Sequence, residues 1–198
     1  MITEKMYEDL KKVFDASVSE YSSLRIKAPW GVRSRIMRAI ENNDAEKVKE
    51  YHGRYSLNNF FDFACEDCQN TEILQMLIDD GAEVNKQDSH GATPLLTMVK
   101  NQRFAAGLAT LIKNGADPNL SDNRGYTPLM ALLYDEFIDS RADEYKVLAE
   151  ASDVTVANKR GLTALFYAEH NHHLHNSEIL TDIRKRYEAQ TKAQSGKR

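Results

Sequence analysis

The chain has 198 residues, 41% hydrophobic and 28% charged, with a formal net charge of −4, the balance of a folded chain able to bury a core as one domain or one elongated repeat array. That acidic balance speaks against a dedicated nucleic-acid binder, which carries a basic face, and no apolar run is long enough to span a bilayer. Met1-Ile2-Thr3-Glu4-Lys5 leads into no apolar core, so no secretory signal is expected, and two cysteines, Cys65 and Cys68, are too few to staple a fold of this size, which points to a reducing compartment.

In chain order, Met6, Leu10, Val13, Phe14, Tyr21 and Leu24 form a helical stripe, read as an N-terminal helical cap over residues 1–31. Ile36 to Ile40 and Asp44-Ala45-Glu46-Lys47-Val48 read as a capping pair of helices over 32–53. A helix is expected from about Thr71 to Asp80, with Ile73, Leu74, Leu77 and Ile78 on one face and Gly81 as its left-handed stop. From residue 88 a phrase recurs: Asp88-Ser89-His90-Gly91-Ala92-Thr93-Pro94-Leu95, then Asp122-Asn123-Arg124-Gly125-Tyr126-Thr127-Pro128-Leu129, then Asn158-Lys159-Arg160-Gly161-Leu162-Thr163-Ala164-Leu165, with glycines 34 and 36 residues apart. A second phrase keeps step with it, Leu77-Ile78-Asp79-Asp80-Gly81-Ala82-Glu83-Val84-Asn85 and Leu111-Ile112-Lys113-Asn114-Gly115-Ala116-Asp117-Pro118-Asn119. Val147 to Val154 is a weaker copy.

Each phrase has a physical reading. Thr93, Thr127 and Thr163 are placed to cap a first helix, with Pro94 and Pro128 at its first position, where a missing N–H costs nothing. Leu95, Leu129 and Leu165 then face inward, as Phe61 does one period earlier. Gly115 stops the second helix as Gly81 does, and the stretch to the next aspartate turns back as a hairpin-like finger. The units are expected at about 54–87, 88–121, 122–157 and 158–187. The first is degenerate, with Leu57 at the glycine position and Phe60-Phe61 at Pro-Leu. Residues 188–198 read as a polar, frayed tail.

These two phrases resemble the ankyrin-repeat family, whose pattern is D-x-x-G-x-T-P-L-H-x-A followed by L-L-x-x-G-A-D-x-N. The resemblance implies an all-α solenoid of stacked helix-turn-helix units with short fingers, acting as a protein-protein interaction module rather than an enzyme. It implies a ligand face on the concave side, made of fingertips and first helices. By position the fingertip residues are Ser89, His90 and Ala92, then Asn123, Arg124 and Tyr126, then Lys159, Arg160 and Leu162. The first-helix exits are Glu66 and Asp67, Lys100 and Asn101, Tyr134 and Asp135, and His170 and Asn171. Tyr126 and Tyr134 are the expected anchors, since aromatic side chains dominate interface energetics, and neither Tyr126 nor Arg124 is expected in the core. Charge along this face is graded, from Asp62, Glu66 and Asp67 to Arg124, Lys159 and Arg160. Small bacterial members of the family include translocated effectors and immunity proteins. The expected location is thus the cytoplasm or a host cell reached without a signal peptide, and the expected state is a monomer awaiting a protein partner of unknown identity, with no nucleic acid and no cofactor.

Two units are lengthened between their helices, by Tyr134 to Arg141 and by His170 to His175, and consecutive repeats put both loops on one edge. Phe137 and Ile138 are read either as exposed or as folded back over the core. The histidine loop is the alternative site for a metal or enzyme, because imidazole is a common ligand, yet it lacks a fixed motif such as H-E-x-x-H, and no metal is assigned. Cys65-Glu66-Asp67-Cys68 has redox spacing beside carboxylates that disfavour a thiolate, so a core role is expected. No phosphate-binding glycine loop, nucleophile elbow or calcium loop is present. Asn85 matches the family's asparagine-hydroxylation pattern, against the structural reading that it bridges finger backbone.

Overall fold

The computed structural model describes residues 28–52, 54–101 and 104–196, so the expected N-terminal cap lies outside the described residues until its last few positions. The described residues form ten α-helices: α1 (Trp30–Glu41), α2 (Ala45–Tyr51), α3 (Phe61–Asp67), α4 (Thr71–Asp79), α5 (Pro94–Asn101), α6 (Ala105–Lys113), α7 (Pro128–Leu133), α8 (Ala142–Ala151), α9 (Ala164–His170) and α10 (Glu178–Ser195). They pack as successive pairs, and the pairs stack so that α1, α3, α5, α7 and α9 form one row and α2, α4, α6, α8 and α10 the other. Among the described residues no strand occurs, only isolated bridges between His52 and Tyr55 and between Ala157 and Thr163. The all-α repeat architecture is the one the resemblance implies.

A helix pair of this length is too short to be stable alone, so burial between rows holds it. Leu95, Leu129, Phe61, Ile73, Leu74 and Leu77 are all buried, and Met76 joins them where Ile78 is only partly covered. Leu165 is also only partly covered, because α9 ends its row among the described helices and has α7 on one side alone. Thr93 Oγ1 accepts the Leu96 N–H at 3.2 Å and Thr127 Oγ1 the Met130 N–H at 3.3 Å, the expected N-caps. Thr163 makes no such bond and sits opposite Ala157 in the isolated bridge instead.

Two further departures have clear causes. Residues 188–195, read as a frayed tail, continue the last helix to Ser195, because Gln190 accepts the Val154 N–H at 2.8 Å and donates to the Ser152 carbonyl at 3.3 Å, while Gln194 donates to Thr155 Oγ1 at 2.9 Å. The first lengthened loop splits: Ile138 is fully buried and Phe137 is 61% exposed. Arg141, at the end of that loop, turns inward and donates to Asp135 Oδ2 at 2.6 Å and to the Val99 carbonyl of the preceding repeat at 2.9 Å, with Glu144 3.5 Å from its Nε. The two lengthened loops meet on one edge, where Asn171 Nδ2 donates to the carbonyls of Leu133 and Asp135 at 2.8 and 3.0 Å and His173 lies 3.7 Å from Asp139.

Candidate functional site

The fingers are built by one device used three times. Asp88 Oδ1 accepts the N–H groups of His90 and Ala92, both at 2.8 Å. Asp122 Oδ1 accepts those of Arg124 and Tyr126 at 2.9 and 3.0 Å, and Asn158 Oδ1 those of Arg160 and Leu162 at 2.8 and 3.1 Å. Each turn closes with a backbone bond from the same residue's N–H to the carbonyl four residues on. A side chain that takes two backbone donors leaves the next side chains pointing out of the turn, and these are the fingertip residues. Neighbouring fingers are tied together by the Asn123 N–H to the His90 carbonyl at 2.8 Å and by Gln87 Nε2 to the carbonyls of Gly91 and Ser121 at 2.8 and 3.0 Å. Gly125 has φ +84°, and a Cβ there would fall 2.8 Å from the Lys159 nitrogen, so that turn tolerates no side chain.

On this frame the expected residues fall into two neighbouring hollows. His90, Ala92, Lys100, Asn101, Asn123 and Arg124 line one of ≈ 510 Å³, with Glu66 and Asp122. Ser89 is exposed at the tip above it, its carbonyl accepting Asn123 Nδ2 at 3.0 Å. Lys100 Nζ and Arg124 Nη2 each lie 3.6 Å from Asp122 Oδ2. Burial of the Asp122 carboxyl opposes its ionisation, but the two backbone donors and the Lys100 and Arg124 charges outweigh that and hold it below the usual carboxylate range.

Tyr126, Tyr134, Arg160, Leu162 and His170 line the second hollow, of ≈ 560 Å³. Its floor is Tyr167, with ring centroids of Tyr126 at 5.4 Å, Phe166 at 5.7 Å and Tyr134 at 6.0 Å edge-on. His170 stacks on Phe166 at 3.9 Å, and the Arg124 guanidinium lies 5.3 Å from the Tyr126 ring centre. Tyr134 is 71% exposed. Tyr126 departs from expectation: its ring is half-buried against the core, because Tyr167 rises beneath it. Tyr167 accepts Asn158 Nδ2 at 2.7 Å, and burial together with the neighbouring Tyr126 hydroxyl pushes its pKa up to about 12, so it stays a neutral phenol. Asp135 is engaged by Arg141 rather than presented freely, and Lys159 is exposed beside the hollow.

Phe166, Tyr167 and Arg141 were not singled out by the sequence reading. A signal for Tyr167 existed: the residue four after Thr93, Thr127 and Thr163 is Thr97, then Ala131, then Tyr167. A small residue replaced by a large aromatic one marks where the face changes character.

The other chemical candidates take structural places. Cys65 and Cys68 are buried, and both thiols are pushed up by burial, Cys65 further by Asp62 and Glu66, which keeps them protonated. Among the described residues no three His, Cys, Asp or Glu side chains group as metal ligands, and none of the helices is long and apolar enough to cross a membrane. Asn85 Nδ2 donates to the Gly115 carbonyl and its Oδ1 accepts the Asp117 N–H, both at 2.8 Å, the bridge between second-helix ends. Asn119 repeats half of it by accepting the Asp153 N–H at 2.7 Å.

No curated protein matches the chain. The family model described as ankyrin repeats (three copies) matches residues 60–141, a span that begins on the degenerate unit and ends at Arg141. Residues 60–141 are thus ankyrin repeats, and the helix pairs, capped turns and asparagine bridges seen inside that span continue beyond it.

Proposed function

We propose that this chain binds a partner protein through its concave face, with the hollow over Tyr167 as the anchoring point and Tyr134 as its most exposed contact. Ankyrin repeats are in general protein-protein interaction modules. The observation that carries the reading is the convergence of Tyr126, Tyr134, Arg160, Leu162 and His170, from two successive repeats, on one open hollow of ≈ 560 Å³. An exposed aromatic ring backed by other rings gives a large contact area with little side-chain entropy to lose. The action is recognition rather than chemistry, in an adaptor or effector. An adjacent toxin gene would instead mark the immunity variant of the same role.

The test is affinity capture with the full chain, followed by calorimetry on the captured partner. Tyr134→Ala with Arg124→Ala is expected to weaken binding by roughly 2–4 kcal/mol, the range of interface hot spots, with the melting temperature close to the parent. Lys113→Ala, on the exposed side of α6, is expected to leave affinity intact. A double variant that binds like the parent, while Phe137→Ala abolishes binding, overturns the concave face in favour of the lengthened-loop edge.

A further inference from the structure

We infer that the segment seated in the Tyr167 hollow is an acidic stretch of polypeptide carrying one aromatic or large apolar side chain. This rests on the concave-face reading and names the chemistry of its partner. The hollow has two halves with different demands. Its floor and walls are rings: Tyr126, Tyr134 and Phe166 all meet Tyr167 with centroids within 6.0 Å. They meet it tilted or edge-on, and the Tyr134 ring, 71% exposed, is open to a further apolar group. Its rim is cationic. Lys159 and Arg160 are exposed and have no ion-pair partner among the described residues. Arg124, with a side chain 74% exposed, lies 3.6 Å from an Asp122 oxygen that Lys100 approaches equally closely.

The distribution of charge along the face gives the segment a direction. Three helices earlier in the same row the exposed side chains of α3 are Asp62, Glu66 and Asp67. An acidic segment is therefore attracted over α9 and repelled over α3, which fixes its register. Glu136 is the one carboxylate that lines the hollow among the described residues, where Arg160 lines it too. A polypeptide is favoured over a nucleic acid because the cations are three, clustered at one end, on a chain of net charge −4. Tracking a phosphate backbone needs a basic groove along its length.

The experiment uses fluorescence anisotropy of the full chain with fluorescein-labelled peptides of sequence Gly-Glu-Glu-Phe-Glu-Glu-Gly. Control peptides carry Gln for every Glu, Lys for every Glu, or Ala for Phe, and a labelled thymidine dodecamer is the nucleic-acid arm. Saturable binding of the acidic Phe peptide is expected, weakened at least about tenfold by the Gln and Ala controls and abolished by the Lys control. Lys159→Glu with Arg160→Glu is expected to weaken it about tenfold or more and to admit the Lys peptide. Glu66→Lys with Asp67→Lys is expected to bind it as well as the parent or better. Equal affinity for the Glu and Gln peptides, no saturable binding, or tighter binding of the oligonucleotide overturns the inference. Loss of the captured partner on Tyr134→Ala, with full retention on Lys159→Glu/Arg160→Glu, leaves the concave face standing and removes the acidic segment. Retention on Tyr134→Ala/Arg124→Ala removes the face itself.

Discussion

Gly115 and Gly125 have nearly the same backbone, φ +90° and +84°, and entirely different surroundings, so alanine at each separates conformational strain from the contact between fingers. At Gly115, the stop of α6, no heavy atom lies within 4 Å of an added Cβ. The cost of Gly115→Ala is then the left-handed penalty alone, about 1–2 kcal/mol. At Gly125 the new methyl would lie 2.8 Å from the Lys159 nitrogen and 2.9 Å from Asn158 Cα. Both are backbone atoms, so no rotamer change relieves the clash. The following finger has to withdraw, straining the Lys159 N–H to Arg124 carbonyl contact and the two N–H groups that Asn158 holds. An overpacking term of about 1–3 kcal/mol adds to the same backbone penalty, giving about 2–5 kcal/mol for Gly125→Ala. Urea unfolding of both variants followed by circular dichroism measures the difference, and hydrogen exchange should place the extra loosening in the 158–162 turn and α9. Equal losses at the two positions would refute the idea that finger-to-finger contact, rather than turn conformation, demands glycine there.

Other variants probe separate parts of the molecule. Arg141→Met leaves the buried Glu144 carboxylate without its cation and is expected to cost about 3–5 kcal/mol, read as a lowered melting temperature; a loss below about 1 kcal/mol would mean the loop is held by Ile138 alone. Asn85→Ala removes two bonds whose partners, Gly115 and Asp117, are exposed, so water takes over and thermal unfolding should show a loss of only about 0.5–1.5 kcal/mol. Asp122 and Asp182 have carboxyl groups held below their usual range: burial opposes ionisation at both, and it is outweighed at Asp122 by backbone donors and at Asp182 by Arg186 and Tyr145. A depressed folded-state value contributes stability that is present above the unfolded value of about 3.9 and is lost as pH falls through the folded value. Asp122→Asn keeps the turn, as Asn158 does in its own finger, and should flatten that acid-side decline when melting temperature is followed from pH 7 to pH 2.

The sequence by itself determined whatever is decided within one repeat. Thr93 and Thr127 cap helices, Gly115 ends one, and Asp88 and Asp122 organise fingers through partners two to four residues away. Local bonds of this kind depend on spacing along the chain, and spacing recurs visibly. The fingertip positions were legible for the same reason, since a capped finger leaves its next side chains outside. What only the tertiary structure decided involves residues a whole repeat apart. Arg141 turns inward because the Val99 carbonyl, 42 residues earlier, is waiting for a donor. Gln190 holds the last helix in order because the Val154 N–H lies 36 residues before it. Ile138 is buried and Phe137 exposed although they are adjacent, since a 3₁₀ turn against the neighbouring loop sends one inward and the other out. Tyr126 becomes half-buried only when Tyr167 rises beneath it from the next repeat. Stacking brings together residues whose separation matches the repeat, while the identity of each partner depends on side-chain size and free hydrogen-bonding groups in the neighbouring unit, which a repeating pattern does not encode.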